Sequence, residues 1–215
     1  VPDFIVIDGK EGGTGAAPLE FANHMGMPLV EGLTFAHNTL RGAGLRDRLK
    51  LGASGKLVTS FDIAKALALG ADWANSARGF MFAIGCIQAQ ACHTNHCPVG
   101  VATQDPKLRE RLNPDEAAER VYNFLHTLTI EAQLFARACG KTSLHSLEPE
   151  DLAALTMEAS AVAMVPLAGT NYTVSGNTVT PDVNFDGTLT VPVTVDVAPA
   201  EAGDGFLVAV GDGAV

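Results

Sequence analysis

The sequence predicts an α/β protein built on parallel strands and followed by a small antiparallel β module. Three observations predict it. Short apolar runs that end near Gly alternate with segments of helical spacing through about residue 84, the pattern of parallel β/α repeats. Charge is divided along the chain: residues 1–141 hold all 14 Lys and Arg and 14 of the 24 acids, whereas residues 142–215 hold the other 10 acids and no base, which accounts for the net charge of −10. Beyond Met164 the pattern changes to β-branched residues alternating with polar ones. A break of this kind marks a boundary between modules, and the two units read as residues 1–158 and 164–215.

The first strand is DFIVIDG, Asp3 to Gly9, a short apolar run expected of a buried parallel strand covered on both faces. It feeds into Lys10-Glu11-Gly12-Gly13-Thr14-Gly15-Ala16-Ala17-Pro18, where small residues let backbone amides approach a ligand. Helical spacing follows from Gly32 to Leu49 at Leu33, Ala36 and Leu40, with breaks at Gly42 and Gly44. Leu49 to Ala53 reads as the second strand and Ser54-Gly55-Lys56 as its turn. Ser60 to Leu69 reads as a helix capped by Thr59 or Ser60 and stopped by Gly70. The third unit has a strand from Trp73 to Ala77, then Arg78-Gly79 and a helical piece from Phe80 to Ile84.

In parallel α/β folds ligands sit at the C-terminal ends of strands. Ser54-Gly55-Lys56 and Ser76-Ala77-Arg78-Gly79 follow two successive strands, so the pair suits a phosphate, although each alone also reads as an ordinary glycine turn with a solvated base.

Cys86, Cys92 and Cys97 stand together in GCIQAQACHTNHCPVGVATQDP. Close thiolates in a loop that ends in Cys-Pro suit an iron-sulfur cluster, which takes several soft anionic ligands. Zinc stays open with His93 and His96 interleaved, but the spacing departs from the usual close pairs. Disulfides suit small secreted domains, and four cysteines in 215 residues do not make that framework. Cys139, inside a helical segment, reads as a buried small apolar residue.

The next helix is well marked. Asn113 is its cap, Pro114 its first turn and Glu116 the partner of a capping box, with Val121, Phe124, Leu125, Leu128, Ala132 and Phe135 on one face until Gly140. His126 has no ligand partner at helical spacing and reads as structural. SLEPEDLAALT, after Ser146, reads as a second short helix. In the tail, Ser175-Gly176-Asn177 and Asp186-Gly187 are hairpin turn signals. Asp182, Asp186 and Asp196 are hard oxygen donors of the kind calcium takes, without a recognisable loop spacing.

Together, IDGKEGGTGAAP, SGKLVTSFDIAKALALGAD and GCIQAQACHTNHCPVGVATQ closely resemble the FMN-binding synthase domain of glutamate synthases over residues 1–155. The resemblance implies the C-terminal part of a (β/α)8 FMN-binding barrel. It implies that Cys86, Cys92 and Cys97 hold a 3Fe-4S cluster, with His93, Thr94 and Asn95 near the sulfurs. It also implies that Ser54, Gly55, Lys56, Ala77, Arg78 and Gly79 hold FMN and that Glu11, Gly12, Gly13 and Thr14 line the flavin pocket. The implied chemistry is reduction of the imine formed from 2-oxoglutarate and ammonia, the latter from glutamine, with electrons from ferredoxin or an NADPH-linked subunit. The tail, residues 166–197, resembles immunoglobulin-like or cadherin-like repeats of bacterial surface proteins. A hydroxy-acid oxidase is similar only in the KALALGA segment.

The sequence departs from this family in two ways. A (β/α)8 barrel takes about 250 residues, and only three strand units precede the cysteines. A fragment inactive by itself is expected, or a half-barrel scaffold joined to an adhesion or oligomerisation module. The acidic tail is the second departure: cluster proteins suit reducing cytoplasm and surface repeats suit the outside, so a chimera is expected. No basic stripe favours nucleic acid. No apolar run reaches the ~18 residues of a membrane helix, and the opening VPDFIVIDG lacks a basic leader start. With no initiator Met and a strand almost at residue 1, the expectation is a soluble piece of a longer gene product.

Overall fold

The protein is described by a computed structural model at residues 1–11, 20–21, 24–168, 172–175, 178–181 and 206–208. Three parallel strands, β1 (Phe4–Asp8), β2 (Lys50–Ser54) and β3 (Trp73–Asn75), form one sheet in the order β1-β2-β3. Consecutive order is what right-handed β/α crossovers give when each helix returns the chain to the neighbouring position. Between the strands run α1 (Leu29–Gly42) and α2 (Ser60–Ala68), and α3 (Ala77–Ala83) follows β3.

β2 is the centre of the sheet. Leu51 and Ala53 point to one face and are fully buried, with Leu29 and Leu33 of α1 and Ala64, Leu67 and Ala68 of α2 in the same core. Ile5 and Ile7 of β1 lie beside Leu51 and Ala53 in the register and pack against that core. Among the described residues no helix covers the other face. There the Trp73 indole lies over Gly52, where a Cβ would come 2.6 Å from the ring, and Phe4 meets the same indole edge-on at 5.7 Å.

This corrects the expectation that β1 is covered on both faces: Phe4 is 59% and Val6 39% exposed. β1 is the sheet's edge, and its outward face meets no other layer among the described residues. An apolar strand is sealed only when both of its faces receive a layer.

The helix caps explain the local boundaries. Thr59 accepts from the Asp62 amide while the Asp62 carboxylate accepts from the Thr59 amide, a reciprocal box that starts α2. Gly70, at φ +107°, ends that segment beneath the His37 ring. The long helix α5 (Pro114–Ala138) is preceded by the single turn α4 (Pro106–Arg109). Asn113 caps α5 through Asp115 and Glu116 amides. Glu116 accepts from the Asn113 side-chain amide and not from its backbone, so the predicted box is half formed. Ala117, Leu128, Ala132 and Ala136 are buried, and Phe124 and Phe135 meet Phe80 and Phe61. Leu125, predicted on this face, is 43% exposed.

SLEPEDLAALT is not a helix. Leu144–Ser146 and Pro149–Asp151 are single 3-10 turns, and Leu152–Ala154 is a strand, β4, antiparallel to β7 (Phe206–Val208). Asp151 accepts from the Glu148 amide and closes its turn in one step, and Leu152 and Ala154 then enter the core as a buried extended pair. Lys141 holds the turn from behind through Glu148, at 3.1 Å, and Asp151. The helix α6 (Met157–Ala163) comes next. In the tail, β5 (Tyr172–Ser175) and β6 (Thr178–Pro181) pair antiparallel with Ser175 opposite Thr178, in keeping with the hairpin signal read at Ser175-Gly176-Asn177. Gly176, Asn177, Asp182, Asp186 and Asp196 lie outside the described residues, as does most of the segment that resembles surface repeats.

At the N-terminal end of the sheet one carboxylate fastens the register. Asp72 accepts from the Leu51 amide at 2.7 Å, from Arg46 at 2.8 Å and from Lys50 at 3.1 Å. Arg46 also donates to the Leu49 and Gly70 carbonyls and, through Nε, to His37 Nδ1 at 3.2 Å. Burial, then the charges of Arg46 and Arg41, hold the His37 pKa below its ordinary value, against the raising influence of Gly70 and Asp72. The unfolded chain therefore takes up a proton at this imidazole first as pH falls. His37 contributes its full stability above about pH 6.5, and that contribution is lost as pH falls from there through the lower folded value. The urea midpoint should drop between pH 7.5 and 5.5, and His37→Gln should flatten the drop; an unchanged slope in that variant refutes the assignment.

Candidate functional site

The parallel register ends level. Asp8, Ser54 and Asn75 are neighbours across the last row of the sheet. The turns that follow them therefore open side by side at the C-terminal edge. Ser54-Gly55-Lys56 leaves β2 with Gly55 at φ +141° and Lys56 at φ +49°. Left-handed backbone at a residue with a side chain is uncommon and gathers at functional sites. Here it is the second of two successive positive-φ residues, so the turn's amides are set by the backbone and Lys56 stands exposed in solvent.

The second turn differs from its prediction. β3 stops at Asn75, Ser76 caps α3, and Ala77, Arg78 and Gly79 form the first turn of that helix. Ser76 Oγ donates to the Leu57 carbonyl, which ties the two turns to each other. Gly79 is buried, and a Cβ there would come 2.8 Å from Ser76 Oγ and 3.0 Å from the Phe124 ring. Its small size serves packing against α5. Arg78 is half-buried at this edge.

Glu11 occupies the third position along the edge. Both carboxylate oxygens accept from the Leu29 amide, at 2.9 and 3.1 Å, at the start of α1. Pro28 precedes that helix without a capping side chain, so a residue 18 positions earlier supplies the anion that the helix N-terminus favours. The Glu11 carboxylate lies between Gly9 and Gly55: a Cβ at Gly55 would be 3.2 Å from Oε2, and one at Gly9 would be 2.7 Å from the Leu29 amide nitrogen. Gly12, Gly13 and Thr14 lie outside the described residues.

The cysteine loop leaves α3 at Gly85 and runs to the single 3-10 turn at Cys92–Thr94. Gln88, Gln90 and Asn95 all have positive φ within it. Asn95 holds the loop shut: its carbonyl accepts from Thr103 Oγ1 at 2.6 Å, and its side-chain oxygen accepts from the Gln104 amide at 2.7 Å. Thr94 Oγ1 donates to Ala91 O and accepts from the His96 amide. Thr94 and Asn95 thus shape the backbone around the thiols.

The four cysteines are free thiols, Cys97 buried and the others half-buried. Burial by itself raises the Cys97 pKa. Hydrogen bonds from the amides of Ala102, Val99, Val101 and Gly100 outweigh it and leave this thiol below its ordinary value. A ring of amides around one sulfur is a cradle for a thiolate. Cys139 is the opposite case, pushed up by burial and by the Asp151 charge, as an inert thiol would be. Among the described residues no three His, Cys, Asp or Glu side chains close around a single ion. In an iron-sulfur cluster the thiolates bind separate irons, so their sulfurs stand wider apart than the ligands of one ion. The donor set here fits a cluster in kind: three soft thiols in one loop, one of them ringed by amides that lower its pKa.

A family profile described as a conserved region in glutamate synthase matches residues 1–142. This chain belongs to the glutamate synthase family. It is 51% identical over 142 residues to a glutamate synthase large subunit-like protein of Bacillus subtilis, covering 66% of this chain and 27% of that protein. It is 42% identical over 186 residues to a large subunit-like protein of Rhizobium meliloti, covering 79% of this chain and 42% of that one. An archaeal NADPH glutamate synthase from Methanocaldococcus jannaschii is 41% identical over 145 residues, or 67% of this chain and 28% of the other. The chain thus spans well under half the length of these relatives. Among solved structures, a flavocytochrome b2 mutant with pyruvate bound is similar at a TM-score of 0.43 and 18% identity, over 68% of this chain and 28% of that one. For this glutamate synthase segment the fold description rests on its own strand order.

Two features of the site were not legible from residue types. The amides of Val99 to Ala102 carry no side-chain signal beyond the Cys-Pro-Val-Gly turn, and the link from Ser76 to Leu57 joins residues 19 apart. Glu11→Gln should cost ~0.5–1 kcal/mol through the lost charge at the α1 terminus. Gly9→Ala should cost about 2 kcal/mol by overpacking against Leu29 and Glu11. Urea unfolding of each variant measures both, and a Gly9→Ala midpoint equal to wild type refutes the close approach.

Proposed function

We propose that this chain is the C-terminal part of an FMN-binding (β/α)8 synthase domain of a glutamate synthase. In the complete enzyme that domain reduces the imine of 2-oxoglutarate and ammonia to glutamate, with electrons from a ferredoxin or an NADPH-linked donor. The observation that carries the proposal is the level C-terminal edge of β1, β2 and β3, which brings two basic turns together and leads through α3 straight into a three-cysteine loop.

Under this reading Cys86, Cys92 and Cys97 hold a 3Fe-4S cluster. The Ser54-Gly55-Lys56 turn and Ala77-Arg78-Gly79 hold the FMN phosphate, and Glu11, Gly12, Gly13 and Thr14 border the flavin. When bound, the two groups supply electron relay and hydride transfer, which no amino-acid side chain provides. The chain's own part is placement and electrostatics. The amides around Cys97 favour the thiolate form of that sulfur and hold its pKa below the ordinary value. Gly55 and Lys56 offer amides fixed by positive φ, and Lys56 and Arg78 bring two cations to the same edge, as a phosphate dianion requires. The Glu11 carboxylate is engaged by the Leu29 amide at the start of α1. The tie between Ser76 and Leu57 fixes the distance between the two turns, so phosphate binding costs little ordering.

Anaerobically prepared protein should contain iron, acid-labile sulfide and flavin, with Cys92→Ser cutting the iron content sharply. Arg78→Ala should weaken FMN binding by about 1.5–3 kcal/mol, the range of a charge-assisted hydrogen bond. Supplied alone with 2-oxoglutarate, glutamine and reductant, the 215-residue chain should form no glutamate, because three parallel strands do not close a barrel. A preparation with neither metal nor flavin, even when the remaining barrel strands are supplied, overturns the proposal.

A further inference from the structure

α5 has a second apolar face. Opposite the buried side, Tyr122, His126, Ile130 and Leu134 follow one another at i, i+4 spacing. Tyr122 is 65%, Ile130 43% and Leu134 53% exposed, and the Tyr122 and His126 rings are stacked within 9° of parallel at 5.8 Å. Three large apolar side chains and a stacked imidazole on one ridge are more than solubility asks of a surface helix, whose outward face is ordinarily charged. Among the described residues, the elements packed most closely against α5, namely α2, α3 and the Leu144–Ser146 turn, meet its other side.

The charges on this face choose the occupant. Asp115, Glu116 and Glu119 precede the ridge, and Arg137 follows it with its Nε on the Gln133 carbonyl. The order is also symmetric about Leu128. Glu119 and Arg137 stand nine residues either side of it, Tyr122 and Leu134 six, Asn123 and Gln133 five, His126 and Ile130 two. If two copies of the helix lie antiparallel with a two-fold axis at the level of Leu128, acid meets base, polar amide meets polar amide, Tyr122 meets Leu134, and the His126 ring lies level with Ile130. A parallel pair would set acid against acid. An isologous contact has to be self-complementary in this way.

We propose that the outward face of α5 is a docking surface for a second copy of this chain, in an antiparallel pair centred on Leu128. In it Tyr122 of one copy lies level with Leu134 of the second copy, and His126 with Ile130 of the second copy. A near-antiparallel pair at a shallow crossing angle of about 20°, with i±3 ridges of one helix in i±4 grooves of the other, keeps residues nine positions from the axis close to level. A single helix pair covers a small area, so the association is weak and reversible.

Sedimentation equilibrium of the 215-residue chain under reducing conditions tests this. Wild type should show a reversible monomer–dimer equilibrium. Ile130→Glu, at an exposed position that leaves the core intact, should raise the dimer dissociation constant by at least about tenfold while the melting curve of the monomer stays in place. Glu119→Arg should weaken the dimer by about tenfold, since it sets like charges level in two symmetric places, and Glu119→Arg with Arg137→Glu should restore it. Recovery in the double variant is the result that a general loss of solubility or folding would not give. A chain that stays monomeric at millimolar concentration overturns the proposal and leaves the ridge to a different polypeptide. Association unaffected by Ile130→Glu and Glu119→Arg also overturns it and moves the contact elsewhere, for example to the open edge of β1. Failure of the double variant to recover overturns the antiparallel register.

Discussion

The structure depends on the in-register pairing of three parallel strands around β2. Leu51 and Ala53, with no exposed surface, anchor that strand against α1 and α2. Because the rows of the sheet end together at Asp8, Ser54 and Asn75, the loops that follow are forced into one neighbourhood. A slip of one residue would turn Leu51 and Ala53 to the uncovered face and separate the turns. Asp72 opposes such a slip from the other end, since it binds the Leu51 amide and two cations at once. The folded pKa of Asp72 is lowered: burial raises it, and the Leu51 amide, Lys50 and Arg46 together outweigh that influence. Register and site are therefore one constraint seen from opposite ends of the sheet.

The two faces of the sheet have different fates. One is sealed by helices. The other carries Phe4, Val6 and the Trp73 indole lying on Gly52, with Phe4 and Val6 in water. In a closed barrel that inner face is filled by side chains from further strands. The same condition explains why β1 has an apolar sequence without being buried, and why the sequence suggested a fully covered strand. The polar cluster at the strands' N-terminal ends and the turns at their C-terminal ends are complete locally. The layer between them is not, among the described residues.

Ligand chemistry is divided between backbone and side chains. The thiols and the bases are side-chain groups and are visible in the sequence as types: Cys86, Cys92, Cys97, Lys56 and Arg78. What surrounds them is set mainly by backbone: four amides around Cys97 and positive φ at Gly55 and Lys56, with the Ser76 hydroxyl on the Leu57 carbonyl. Glu11 shows the reverse case. Its position in a glycine-rich stretch marks it as a pocket residue, and its carboxylate is engaged at the terminus of α1. Membership of the glutamate synthase family is consistent with both observations, since a family motif records residue types and not the contacts they make.

Local sequence accounts for the alternation of strand and helix, the start of α2 at Thr59 or Ser60, the cap at Asn113, the Ser54-Gly55-Lys56 turn, the cysteine loop and the hairpin signal between Ser175 and Thr178, because each depends on neighbours within a few residues. Only the tertiary structure decided that Leu152–Ala154 is a strand and not a helix. It did so through burial of Leu152 and Ala154 and pairing with Phe206–Val208, more than fifty residues away. It likewise decided that Arg78 and Gly79 belong to α3, where Gly79 meets Phe124, and that α5 is apolar on both sides. These outcomes turn on which surfaces meet, and periodicity reports that a face is apolar without naming what covers it.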